Sequence, residues 1–560
     1  MKKLLFILLA VMVVITACAP AATPVAPTTA PAAAPTEPPA KPAEPTKEAA
    51  SATQAPAQPT AAPATAAPTV APTAAPAKPK EIMIGLGQES YPRRGWTMET
   101  DDAFSMVYIG VLETLVKVDF DGQMVPNLAE SWSQVDDTTW KFNLRKNISF
   151  TNGEPFNAAA VVKALNYIKN APTPPRGITA KTFKDIQAAD EYTVVIQTTS
   201  PDALLPNRLT SPATGVLAPS AYKAASGPVD PFNTGTGPFI LTNEVADQSL
   251  TVVKNPKYWG GEVKLDKATI LFVPDAQIRA GMLSSGEIDL DIHVPVEQMP
   301  VMQKNKDIVI SRLQTPRTTT LHLNMSRPPF DNLKVRQAVA YALDKQALVD
   351  ATLEGVGAPG VGPIAPSEPW VNADLKGYPF DQAKAKALLA EAGYEAGKLT
   401  VGLWTYSTRA NLPLTAIAIQ DMLSQVGIVA EVRLAQYDPM AADVLAGKYD
   451  MFIISRNHVL DSFDPEAFFA SDYTCEGSFN MDHFCDKTFD EQLVKAQGLT
   501  DLKARYDIYR QLQKTLVDDQ CVGVFLNYTE IVDGVRSNVL NFKLHPLERF
   551  VLTADLDISQ

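Results

Sequence analysis

The chain has 560 residues and a formal charge of −13. That length exceeds what one ordinary core organises and predicts two or three lobes. The acidic balance, with no basic stripe anywhere, excludes a nucleic-acid partner.

Lys2 and Lys3 precede an apolar run over residues 4–15. This is the pattern of a secretion signal, residues 1–17, too short to remain as a membrane span. It ends in Ile-Thr-Ala-Cys, and small residues leading to Cys18 resemble a bacterial lipobox, in which the cysteine is diacylated and becomes the mature N-terminus. Residues 18–80 continue as Ala, Pro and Thr with hardly a large apolar side chain. Such a stretch cannot bury a core and is expected to be a disordered tether, reaching on the order of 100 Å when extended. The expected location is therefore extracytoplasmic, held to the membrane by the lipid only.

Residues 81–87 begin the folded part as a short apolar strand, followed by Tyr91, Arg93, Arg94 and Trp96, and residues 106–118 carry the apolar load of a core element. Further on, Trp140, Phe142 and Leu144 share one face of a predicted strand. Asn157 is placed to cap a helix bearing Val161, Leu165 and Ile168, and residues 192–198 return to strand. Asp331 or Asn332 starts a helix with Val335, Val339 and Leu343. Gly355, Gly357 and Gly360 spell a Gly-x-Gly-x-x-Gly motif, but Pro359, Pro363 and Pro366 forbid the helix that a dinucleotide fingerprint opens, so the segment is expected to be a loop. Asp381 caps a helix carrying Ala385, Leu388, Leu389 and Ala392, with Gly393 beyond it.

Residues 398–469 read as strand, helix, strand, helix, strand. Ile419, Met422, Leu423 and Val426 recur at helical spacing before Gly427, then Ile428, Ala430, Val432 and Leu434 alternate, and a second helix over residues 439–445 leads to the apolar run 451–454. Two such crossovers require parallel strands, and ligands in open α/β sheets sit beyond the carboxyl ends of the strands. The residues there are Tyr406 and Arg409 after one strand, and Arg456, His458 and Asp461 after another. A cation and a carboxylate at one rim can clamp a zwitterion.

Cys475 and Cys485 lie close in a polar loop, where a disulfide would contribute roughly 2 to 3 kcal/mol by restricting the unfolded chain. Metal binding is the rival reading, but this pair with His483 between is not a zinc pattern. Cys521, in an apolar run, is expected to be a buried free thiol. Five scattered histidines and the absence of His-Glu-x-x-His, Cys-x-x-Cys and Gly-x-Ser-x-Gly motifs argue against an enzyme, and nothing calls for a cofactor or a resident metal.

The segments VYIGVLETLVKVDFDGQMVPNLAESW, DTTWKFNLRKNISFTNGEPFNAAAVV, GTGPF, NPKYWGG and PPFDNLKVRQAVAYALDKQAL resemble, in this order, family 5 of the bacterial extracellular solute-binding proteins. The resemblance implies an α/β fold, periplasmic-binding-protein-like (type II, cluster C), with two lobes, an extra subdomain and closure on a ligand. Mapped here, lobe I combines residues 81–118, 232–312 and 532–560, the extra subdomain covers 119–231, and lobe II covers 313–531. It also implies a monomer that hands a small peptide or related solute to an ABC permease with cytoplasmic ATPases.

Within that family, the stretch from His458 to Cys485 looks most like the peptide binders. By that likeness Asp461, three residues before Asp464-Pro465, holds a peptide's α-ammonium; Arg409, a few residues after Trp404, holds its carboxylate; and Cys475 and Cys485 match a cysteine pair. Charged groups enclosed in a cleft need opposite charges with good geometry, each such bond contributing about 1.5 to 3 kcal/mol. Trp404, Tyr406, Phe463 and Trp370 are candidates for apolar walls. His458 carries the alternative, a nickel-chelate binder. A non-transport adhesion or scaffold protein at the cell surface, with no closable cleft, is the third reading.

Overall fold

The computed structural model describes residues 78–87, 95–99, 101–175, 177–407, 409, 411–459 and 462–559, apart from the side chains of residues 101, 438 and 439. The signal, Cys18, nearly all of the tether, Tyr91, Arg93, Arg94 and Asp461 lie outside the described residues. The strands in chain order are β1 (Glu81–Leu86), β2 (Val116–Val118), β3 (Met124–Pro126), β4 (Ala129–Asp136), β5 (Thr139–Leu144), β6 (Phe183–Asp190), β7 (Thr193–Thr198), β8 (Phe239–Val245), β9 (Ser249–Lys254), β10 (Lys267–Phe272), β11 (Leu290–Asp291), β12 (Ile308–Leu323), β13 (Ala358–Pro359), β14 (Leu399–Tyr406), β15 (Ile428–Ala435), β16 (Met451–Asn457), β17 (Gly523–Arg536), β18 (Val539–Leu540) and β19 (Asp557–Ile558).

The main sheet has the order β15-β14-β16-β12-β17-β11-β1-β10-β9-β8, with β13 beside β17. β14 pairs parallel with both β15 and β16, as the two crossovers require. Helix Asn411–Gln425 makes the first crossover and stops where Gly427 takes φ +89°; helix Tyr437–Leu445 makes the second. Ile419, Leu423 and Val426 are buried and Met422 is half-buried, so the helical spacing points inward. Side-chain caps sit where expected: Asn332 accepts from the Lys334 amide and Asp381 from the Lys384 amide, each satisfying a donor that the helix start leaves unpaired.

A second, antiparallel sheet, β4-β5-β7-β6, packs on helix Ala158–Lys169. Trp140, Phe142 and Leu144 of β5 face inward together, and Asn157 caps the helix through the Ala160 amide. The glycine motif is a turn leading into β13, not a helix. Its glycines serve close approach to β17: a Cβ on Gly357 would stand 2.5 Å from the Tyr528 carbonyl oxygen, and one on Gly360 2.7 Å from that of Phe525.

Two large apolar cores form, one including Ile82, Phe142, Leu165 and Ile270, the other Leu321, Val339, Leu403 and Ile454. They mark two lobes, and β12 and β17 run through both. Residues Ile308 to Gln314 of β12 pair with β17 beside β11, while Arg317 to Leu323 pair with β16. Between these stretches the register breaks, Gln314 facing Glu530 and Thr318 facing Tyr528. Among the described residues no helix is long and apolar enough to cross a membrane.

Candidate functional site

β14 and β16 end at the same rim of the second lobe, at Tyr406 and Asn457. Tyr406 is buried with its ring edge-on to Tyr437, centroids 5.1 Å apart. Arg409 follows, exposed, and its charge is felt by His293, Arg317 and Glu548. His293 and Glu548 follow β11 and β18, away from the rim of β14 and β16, so charges from separate parts of the chain meet near Arg409.

The other candidates are placed differently. Trp404 lies under the Arg433 guanidinium, 4.1 Å from its ring centre, paired through the β14 and β15 register and two residues short of the rim. Trp370 is 1% exposed in an apolar cluster, edge-on to Phe463 and Tyr506 at 5.6 and 5.7 Å, so packing has taken the face a ligand would need. Phe463 is half-buried, and its carbonyl accepts from Asn207 Nδ2 at 2.7 Å. The His458 ring is buried 5.8 Å from Phe468, and burial with the Arg456 charge holds its pKa down to about 3, so it is neutral. Arg456 is engaged with Asp472 at 3.2 Å and stacked over Phe479 at 4.1 Å.

Opposite Arg409 stands a charged group that the sequence reading did not single out. His293 Nε2 lies 3.5 Å from Glu548 Oε2, Arg317 Nε lies 3.7 Å from Glu548 Oε1, and the His293 amide donates to Asp533 Oδ1 at 3.0 Å. Burial works to raise the Glu548 carboxyl, but Arg317, His293 and Arg409 outweigh it and hold the pKa near 2. Burial likewise opposes charge on His293, but Glu548 and Asp533 prevail and its pKa is raised. Burial and the Arg409 charge push Arg317 down to about 10, and burial lifts Asp533 to about 6 against the pull of His293. The His293 side chain keeps 47% exposure despite its depth, so it borders open space rather than packed protein.

No local motif announces these residues, because three distant segments supply them. One faint signal is conformational: His293 and Glu548 both take left-handed backbone, φ +63° and +56°, uncommon for non-glycine residues and frequent at functional sites. A second long-range contact is buried. Arg208 pairs with Asp202 at 2.8 Å and with Glu466 at 2.9 Å, all three buried, the last on helix Glu466–Asp472. Downstream of that helix a disulfide joins Cys475 to Cys485, and Cys521 is a buried free thiol whose pKa burial pushes up to about 12. Among the described residues no group of three or more His, Cys, Asp or Glu side chains is placed to hold a metal ion.

Two α/β lobes strung on a shared pair of strands, superposing on solved binding proteins, define a type II periplasmic-binding-protein fold. Within that class, the chain belongs to the bacterial extracellular solute-binding proteins, family 5, whose middle-region model matches residues 123–480. It is 30% identical over 438 residues to the glutathione-binding protein GsiB of Escherichia coli K12, covering 75% of this chain and 83% of that one. It is 26% identical over 456 residues to the dipeptide-binding protein of the same strain, covering 76% and 84%. Among solved structures, the nickel ABC transporter from Bacillus halodurans superposes with a TM-score of 0.70 at 27% identity, over 86% of this chain and all of that one. DppA from Helicobacter pylori, in complex with the peptide STSA, superposes with a TM-score of 0.73 at 23% identity, over 86% and 98%.

Proposed function

We propose that this protein is the extracytoplasmic receptor of an ABC importer, capturing a small peptide or similar ammonium-bearing solute between its lobes and delivering it to the permease. It works as a lipid-anchored monomer through Cys18 and performs no covalent chemistry. The lobes are divided as the family pattern implies, with residues 81–118, 232–312 and 532–560 in one, 313–531 in the other, and 119–231 as the extra subdomain. Arg409 grips the solute's carboxylate and Asp461 its ammonium.

The observation that carries this reading is the position of Arg409, at the carboxyl end of β14 and within the electrostatic reach of Glu548 and His293. A guanidinium there suits a solute's carboxylate, which the names of the peptide- and glutathione-binding relatives also fit. Nickel-chelate binding would rest on His458, whose ring is buried against Phe468, and gains nothing from that placement. Binding biases an open and closed equilibrium through contacts with both lobes.

Asp461→Ala should weaken binding of a free dipeptide much more than of its N-acetylated form, measured by titration calorimetry. Equal losses for the two would remove the ammonium role. Native mass spectrometry of the protein as purified, with whatever it carries from the cell, separates a peptide from a nickel complex directly.

A further inference from the structure

The two arginines facing Glu548 are not equivalent. Arg409 is exposed at the rim. Arg317 opens the regular pairing of β12 with β16, and its side chain is only 14% exposed. A guanidinium offers five N–H donors. Among the described residues, those of Arg317 reach the Ser455 carbonyl at 3.3 Å and the Glu548 carboxylate at 3.7 Å, the latter beyond hydrogen-bonding distance. Glu548 Oε1 accepts no hydrogen bond among the described residues either. No Arg317 nitrogen is among the buried atoms that lack a partner, so its remaining donors border accessible space, where a further acceptor can reach them.

The floor beside it tells the same story. Arg317 pairs in register with Asn457, and Thr319 with both Ser455 and Asn527, so strand alternation puts these five side chains on one face. Thr319 Oγ1, Ser455 Oγ, Asn457 Nδ2 and Asn527 Nδ2 are all buried without a hydrogen-bond partner among the described residues. The four residues are 0%, 7%, 8% and 5% exposed. Folded proteins leave few such atoms unpaired. Two amide nitrogens, two hydroxyls and a guanidinium on one face all have protons to give, so the partner they lack is rich in acceptors and negatively charged.

We infer that Arg317 and this polar face form a second anion subsite, taking a carboxylate additional to the one at Arg409, so that the preferred solute is an acidic peptide. The inference rests on the peptide reading for its first carboxylate. Glu548 is the resident counter-ion of Arg317 when no solute is bound. The solute's second carboxylate replaces it there, and Glu548 keeps His293 as its partner.

The test is titration calorimetry of Ala-Glu, Ala-Gln and amine-free glutarate against the wild type, Arg317→Gln and Glu548→Gln. The wild type should bind Ala-Glu about tenfold more tightly than Ala-Gln, the scale of one charge-assisted hydrogen bond. Arg317→Gln should lose more for Ala-Glu than for Ala-Gln, removing the preference. Glu548→Gln should widen the preference because the resident competitor is gone, and this arm stands whether or not Arg317→Gln folds. Equal wild-type affinity for Ala-Glu and Ala-Gln overturns the subsite and leaves the peptide reading intact. Arg317-dependent binding of glutarate with neither peptide bound keeps the subsite and overturns the peptide reading. No binding of any of the three overturns both.

Discussion

His293 and Glu548 titrate in ways that fix a pH window for the contact between them. The raised pKa of His293 means its charge favours the folded form fully below its ordinary value of 6.5, and that contribution fades as pH rises through the raised value. Glu548, held near 2 against an ordinary 4.5, contributes above 4.5 and loses its contribution as pH falls toward 2. Both charges therefore act together between about pH 4.5 and 6.5. His293→Gln should lower the melting temperature relative to wild type near the middle of that window and converge with it in mildly alkaline buffer. A constant gap across the whole range would show that packing, not charge, is what His293 supplies.

At this scale the sequence was an uneven guide. The place of Arg409 just past the end of β14 was legible because strand-end position is a local property, readable from the short apolar strand and the helix after it. Trp370 was not. An aromatic side chain looks alike in a ligand wall and in a core, and only the arrival of Phe463 and Tyr506 decides between them. Glu548 was invisible for a related reason, since its value comes from Arg317 and His293, more than two hundred residues away in the chain.

Among the elements, caps and stops came through clearly because their chemistry is confined to one turn. Asp381→Ala should cost helix Gln382–Glu391 about 1 kcal/mol, read from the denaturant midpoint, since the Lys384 amide then loses its acceptor. The glycines near β13 carry a sharper expectation. Gly357 combines φ +106° with a backbone oxygen 2.5 Å from where a Cβ would stand, whereas Gly122, at φ +70°, has nothing within 4 Å. Gly357→Ala should therefore cost on the order of 2 kcal/mol or more, and Gly122→Ala about half that, the strain of the backbone alone. The prolines rightly excluded a helix, though residues 358 and 359 form a short strand where a loop was expected; why glycine stands there could not be read locally, because the obstacle belongs to β17. Breaking the Cys475 and Cys485 link by Cys475→Ser with Cys485→Ser should remove about 2 to 3 kcal/mol, seen as a lowered melting temperature that reductant no longer changes.

For the molecule as a whole, the family pattern and the parallel crossovers together made the two-lobe α/β architecture readable, while the contacts between lobes were not. Arg208 is the plainest long-range contact: it neutralises Asp202 in its own segment and Glu466 on helix Glu466–Asp472, with little solvent to help. Burial lifts the Glu466 carboxyl and the Arg208 charge opposes that, so the carboxylate depends on its partner. Arg208→Met would strand two buried carboxylates, at a cost of roughly 3 to 5 kcal/mol to the arrangement in which the lobes meet. Small-angle scattering should then report a larger radius of gyration with far-ultraviolet dichroism unchanged; an unaltered radius would mean that the seam does not depend on this triad.

Where β12 passes from one lobe to the other, Thr315, Pro316 and Arg317 together face the single residue Thr529. Pro316 has no amide to donate, though its carbonyl receives the His458 amide at 3.1 Å. The β12 and β17 ladder is thus interrupted there, with three residues set against one. In deuterium labelling, Thr315 and Arg317 should take up label well before Leu321 or Ile310 on either side, and a solute that draws the lobes together should slow that uptake without touching either residue's flanks.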